Sequence, residues 1–92
     1  MADFVMVMLG SQSEGDWETY IRKLIDSGSF RGGSSLGKGA KVSKNSMDSD
    51  CSITGYIRLS ARNLDEAKML LAGNPLFEAG GVIELLEEVP DQ

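Results

Sequence analysis

The chain of 92 residues has no histidine, a single cysteine and two prolines, and no apolar run longer than that from Phe4 to Leu9. Each shortage excludes something. That apolar run is far below the roughly 20 residues of a membrane-spanning helix, and Asp3 spoils the positive start of a secretory signal, so neither a membrane segment nor a targeting segment is expected. A lone Cys51 cannot form an intramolecular disulfide, so the fold cannot depend on an oxidising compartment and a cytoplasmic location is expected. Lys and Arg number 9 against 14 Asp and Glu, a net charge of −5. That balance argues against nucleic acid as a partner, because phosphate neutralisation needs clustered cations.

What is present reads as one modest domain over residues 1–92. The composition, 41% hydrophobic and 25% charged, is that of an ordinary globular protein with one core. The charge is unevenly spread. Arg31, Lys38, Lys41 and Lys44 stand in a stretch without acids, whereas beyond Lys68 the only charges are Glu78, Glu84, Glu87, Glu88 and Asp91. Opposite patches of this kind suit self-association as well as an anionic ligand.

Six elements follow from the pattern. Phe4 to Leu9, stopped by Gly10, reads as a strand covered on both faces. Ser13 is expected to cap a helix with Trp17, Tyr20, Ile21, Leu24 and Ile25 at helical spacing, ended by Gly28. Phe30 to about Lys44 reads as an extended segment kinked near Gly37 to Gly39, and Asn45 to Asp50 has turn composition. Ser52 to Ala61 alternates, with Ile53, Ile57, Leu59 and Ala61 on one face and Thr54, Tyr56 and Arg58 on the other. Asn63 starts a second helix with Glu66 at the capping-box position and Gly73 as its stop; Asn74-Pro75 turns the chain. Val82 to Leu86 is the last strand, closed by Pro90.

Strand, helix, strand, strand, helix, strand is the order of the ferredoxin-like βαββαβ arrangement, an α+β fold with a four-stranded antiparallel sheet and two helices on one face. The other face is then bare, yet the first strand is apolar on both sides. A symmetric homodimer with two sheets face to face, a dimeric α+β barrel, is therefore expected.

Several segments also carry a resemblance to a known family. Phe30-Arg31-Gly32-Gly33-Ser34-Ser35-Leu36, Gly55-Tyr56-Ile57-Arg58, Asn63-Leu64-Asp65-Glu66-Ala67, and Gly73-Asn74-Pro75 through Glu78-Ala79-Gly80-Gly81 to Glu84 resemble the YCII-related domain family in order and over nearly the whole chain. The resemblance implies a dimeric α+β barrel, a histidine–aspartate active centre in the family, and small organic compounds as substrates of some relatives. This chain departs from that pattern in having no histidine, in a shorter hairpin tip between Lys44 and Ser52, and in Leu86 where relatives often have arginine. An imidazole acid–base role cannot be carried over.

Strand alternation supplies the candidate site instead. Thr54, Tyr56 and Arg58 are expected on the cavity face, joined by Glu84 from the last strand, with Arg58 and Glu84 on strands about 10 Å apart. Arg58 would hold a carboxylate, Tyr56 would offer a hydroxyl and a ring face, and Glu84 would orient Arg58 or serve as a base, with Asp50 as a further candidate base. The plainer alternative is an Arg58–Glu84 ion-pair network lining the dimer seam.

Other patterns carry less. Gly32 to Lys38 imitates a phosphate-binding loop, but Gly39 stands where Ser or Thr must hold magnesium and extended chain follows instead of a helix. Asp48-Ser49-Asp50 lacks the glycine and distal glutamate of a calcium loop, so it reads as a solvated tip and no metal or cofactor is expected. The methionines read as adaptable filler, and Trp17 as an anchor on the core before a ligand platform. The functional expectation is a module binding a small anionic molecule at the sheet face of a homodimer. A cofactor-free proton-transfer enzyme on a small organic acid and a structural interaction module are its alternatives.

Overall fold

A computed structural model describes residues 1–10 and 15–90 of the chain. The first strand, β1 (Ala2–Leu9), alternates strictly: Phe4, Met6 and Met8 are buried, while Val5, Val7 and Leu9 on the opposite face are half-buried. The two-residue period of a strand sends neighbours to opposite faces, so this run serves both sides of a sheet. Helix α1 (Trp17–Asp26) follows, capped by Asp16, whose carboxylate accepts from the Thr19 amide at 2.9 Å. The cap expected at Ser13 lies outside the described residues. Tyr20 and Leu24 are the buried residues of the α1 stripe, and Gly28 takes φ +79° just past the helix end.

The chain then forms β2 (Phe30–Ser35), β3 (Ala40–Ser43), β4 (Ser46–Asp50) and β5 (Ile53–Ala61). Here the sequence expectation needs correction. The segment from 30 to 44 is two strands rather than one, broken at residues 36–39, and Ser46–Asp50 is a strand where turn composition pointed to a tip. Only Lys44 and Asn45 form the turn. Polar strand residues that bury nothing carry no apolar alternation, so periodicity could not mark them.

Asn63 caps α2 (Leu64–Met69), accepting from the Glu66 amide at 2.8 Å, while Glu66 accepts from the Arg62 amide at 3.0 Å. The helix ends at Met69, before the expected stop at Gly73, and the presumed turn at Asn74-Pro75 opens a third short helix, α3 (Pro75–Glu78). Asn74 is fully buried; its side-chain Oδ1 accepts from the Phe77 amide at 3.0 Å and its Nδ2 donates to Met6 Sδ at 3.3 Å. Strand β6 (Val82–Glu87) completes the fold.

Four strands make one antiparallel sheet in the order β2-β5-β1-β6, and β3 and β4 form a separate two-stranded ribbon. The fold is α+β. Its core gathers Phe4, Met6 and Met8 with Ile57 and Leu59 under Tyr20, Leu24, Ala67 and Leu76 of the helices. The Tyr20 hydroxyl donates to the Leu70 carbonyl at 2.7 Å, and burial pushes its phenol up to about 12, partly offset by a hydrogen bond with Asn74. Among the described residues no helix is long and apolar enough to cross a membrane.

Candidate functional site

The register of the sheet sets out the uncovered face in rows. Val7 stands between Tyr56 on β5 and Glu84 on β6; Val5 stands between Arg58 and Leu86. Tyr56 and Glu84 therefore share one row, and Arg58 lies in the next. Arg58 does not pair with Glu84. Its Nε and Nη2 donate to the two carboxylate oxygens of Glu88, at 2.7 and 3.0 Å, so the guanidinium reaches over β1 to the residue just past β6. This fork is the strong geometry for arginine and carboxylate. It holds the Glu88 carboxyl below the usual glutamate value and raises the Arg58 guanidinium still further, in both cases chiefly through the hydrogen bonds.

The pair is nonetheless open, with the Arg58 side chain 45% exposed. Glu84 is exposed, and Thr54 sits at a shift in the β1–β5 pairing with its hydroxyl 3.5 Å from the Met8 carbonyl oxygen. Asp50 ends β4 opposite Ala40, on the ribbon rather than on the sheet that carries the other candidates. So the structure places Thr54, Tyr56, Arg58 and Glu84 on one sheet, replaces the expected partner of Arg58, and leaves Asp50 on another element. Glu88 was missed because it lies beyond the last apolar residue of the final strand, where alternation no longer assigns a face.

A different concavity opens where helix and sheet meet. Trp17 and Ile21 of α1, Phe30 of β2, Met8 of β1 and Leu76 of α3 surround a cleft of about 360 Å³ bordered by the strand backbone at Gly33 and Gly55. Both glycines face a backbone carbonyl across the β2–β5 pairing, Gly33 the more closely. A Cβ on Gly33 would stand 2.5 Å from the Tyr56 carbonyl oxygen, so β2 can lie this close to β5 only without a side chain there. The approach follows a pairing shift between Phe30 and Gly33, with Gly32 at φ +114°. A Cβ on Gly55 would stand 3.2 Å from the Ser34 carbonyl oxygen and 3.4 Å from Met8 Cε, so a side chain there would press on β2 and compete with Met8 for the space.

Trp17 meets Tyr20 edge to face, with ring centroids 6.2 Å apart at 78°. The described lining of the cleft includes Ser34 and Ser35 but no acid, amine or guanidinium. The arrangement can take up an apolar or aromatic group and offer it hydroxyls at one edge, where Tyr56 is the titratable residue of the described lining. The one trace of it in the sequence is Gly55, which interrupts the inward-facing series that Ile57 and Leu59 continue. The glycine-rich stretch likened to a phosphate loop is strand from Gly32 to Ser35. Among the described residues no three metal-ligating side chains come together. Neither a known protein family, nor a curated protein, nor a solved structure matches this chain.

Proposed function

We propose that this chain is a cytoplasmic homodimeric module of the YCII-like, ferredoxin-like kind that binds a small organic molecule without turning it over. The observation that carries the reading is the helix-side cleft of about 360 Å³, a volume at the lower end of ordinary small-molecule pockets. Its apolar walls and its serines favour an aromatic or aliphatic compound with one neutral hydrogen-bonding group. Support for the fold comes from the strand order β2-β5-β1-β6, which is the ferredoxin-like order once the β3–β4 ribbon is set aside as an insertion in the middle hairpin.

Support for the dimer comes from the uncovered sheet face, where Val5, Val7, Leu9, Val82 and Leu86 form apolar rows broken by Tyr56, Glu84 and the Arg58–Glu88 pair. The molecule measures 43 × 39 × 19 Å, the thickness of a sheet and one helical layer. A second sheet packed on this face would keep water from both.

An anionic ligand held by Arg58 is the second reading, favoured by the half-open guanidinium on the sheet face. It requires Arg58 to share or leave Glu88, whereas the cleft requires no ion pair to break. A thermal-shift screen of small neutral aromatics and carboxylates separates the two, read together with the fluorescence of Trp17, the chain's one tryptophan. A ligand at 100 times its dissociation constant adds about 2.7 kcal/mol, a shift of roughly 10 °C or more in a domain of this size. Hits that quench Trp17, persist in Arg58→Ala and vanish in the cleft-filling Ile21→Phe are expected. Hits that are carboxylates and depend on Arg58 alone favour the anionic reading, and a chain without hits overturns both.

A further inference from the structure

We infer that the β3–β4 ribbon is an arm that each copy of this chain lays against the β6 edge of a second copy. The inference rests on the homodimer proposed above and adds to it a separate, charge-matched contact. Among the described residues the ribbon buries none of its own side chains. Every residue from Gly33 to Ile53 is exposed, including Val42 at 71% and Met47 at 92%. A two-stranded hairpin alone in water is marginal, and it gains stability when a hydrophobic side packs on another surface. The radius of gyration, 14.2 Å, exceeds the roughly 12 Å of a compact chain of this length, as a projecting arm requires.

The complementary surface is in the same chain, at the far edge of the sheet from β2. Among the described residues strand β6 has β1 on one side and no strand on the other, and it exposes Val82 and Leu86 with Glu84, Glu87 and, just beyond, Val89, beside the half-buried Glu88. Such an edge offers unpaired backbone groups to any strand that arrives. Among the described residues β3 is likewise paired only with β4. It carries Lys41 between Lys38 and Lys44, with Val42 beside them, while the acids Asp48 and Asp50 belong to β4. The basic, partly apolar β3 edge and the acidic, partly apolar β6 edge match in charge, in greasiness and in their need for hydrogen bonds. Because β2-β5-β1-β6 puts the arm and β6 at opposite edges of one sheet, a two-fold axis satisfies both contacts at once, each arm on the other's edge.

Charge-swapped variants test this in light-scattering dilution series. Lys41→Glu with Lys44→Glu, and separately Glu84→Lys with Glu87→Lys, are each expected to raise the dimer dissociation constant about tenfold or more through like-charge juxtaposition. An equimolar mixture of the two is expected to regain wild-type affinity, since every arm then meets an edge of opposite sign. Net repulsion cannot mimic the result: Lys41→Glu with Lys44→Glu takes the chain from −5 to −9, but Glu84→Lys with Glu87→Lys takes it to −1, and by net charge alone that second variant would associate more readily than the wild type. Zero-length carbodiimide cross-linking of the wild-type chain checks the contact without any substitution, and a Lys38, Lys41 or Lys44 link to Glu84 or Glu87 between copies is expected. Variants as dimeric as wild type, a mixture that does not recover, or no such link would overturn the arm and leave the dimer standing. A wild-type chain that is monomeric at micromolar concentration would overturn both.

Discussion

Arg58 on β5 and Glu88 just past β6 close a two-pronged bridge over Val5 of β1, joining strands that are not neighbours in the sheet. The bridge sets a direction for the acid response. Glu88 has its folded-state value lowered by Arg58, as Glu66 does by the side chain and amide of Arg62 and Asp16 by the hydroxyl and amide of Thr19. A lowered carboxyl contributes stability above its unfolded value and loses it as pH falls through the folded one. Stability is therefore expected to decline on acidification below about pH 4.5, the ordinary glutamate range. In an NMR carboxyl titration Glu88 should titrate below the ordinary glutamate value in the wild-type chain and move upward in Arg58→Gln. A Glu88 value unchanged by that substitution would contradict the bridge.

Tyr20 works in the opposite direction. Its phenol, pushed up to about 12 mainly by burial, stays protonated in the folded chain while an unfolded tyrosine ionises near 10. Stability is thus complete below pH 10 and is lost as pH rises toward 12. Tyr20→Phe should cost about 1 kcal/mol through the orphaned Leu70 carbonyl and should flatten the alkaline limb, both measurable by urea unfolding across pH.

Asn74 is expected to be the most sensitive polar position in the core. Asn74→Ala removes the cap on α3 and the amide beside Met6, a loss of about 1–3 kcal/mol. Asn74→Asp keeps the capping oxygen but buries a carboxylate, whose raised value makes the folded state bind a proton that the unfolded state releases. Its deficit should be larger at pH 7 than near pH 4, since the stability lost on raising pH begins at the unfolded aspartate value of about 3.9. Equal urea midpoints at the two pH values, after correction for the wild type, would contradict this account.

Gly33 and Gly37 should respond differently to the same substitution. Gly33→Ala drives a Cβ against the Tyr56 carbonyl and should cost about 1–3 kcal/mol, as overpacking of unyielding backbone does, with β2 shifting from β5. Gly37 has nothing within 4 Å of its would-be Cβ, so Gly37→Ala should be neutral or slightly stabilising. Chemical denaturation of both variants, with amide exchange on β2, makes the comparison.

The candidate site was legible only in part. Alternation along Ile57, Arg58 and Leu59 identifies which side chains point away from the helices, because a period of two depends on the strand alone. It does not identify what Arg58 meets, because that depends on the register of β1 and β6. Leu86, not Glu84, lies in the row of Arg58, and Glu88 follows after the strand has ended. The cleft was less legible still. Met8, Trp17, Phe30 and Leu76 come from four elements, and part of the border consists of glycines, whose contribution is an absent side chain.

By itself, the amino-acid order determined the strand of Phe4 to Leu9, the helix from Trp17, the caps at Asn63 and the half-buried strand through Arg58. These are local properties, set by apolar spacing and by side chains that satisfy nearby amides. Only the tertiary structure decided that Ser46 to Asp50 is a strand, that Asn74 is a buried cap and that Arg58 is held by Glu88. Asn74 against Met6 and Arg58 against Glu88 depend on partners distant in sequence, chosen by the packing of whole elements, which no local window of residues contains; Ser46 to Asp50 pairs with the nearby β3, but its exposed polar residues carry no apolar alternation to mark it.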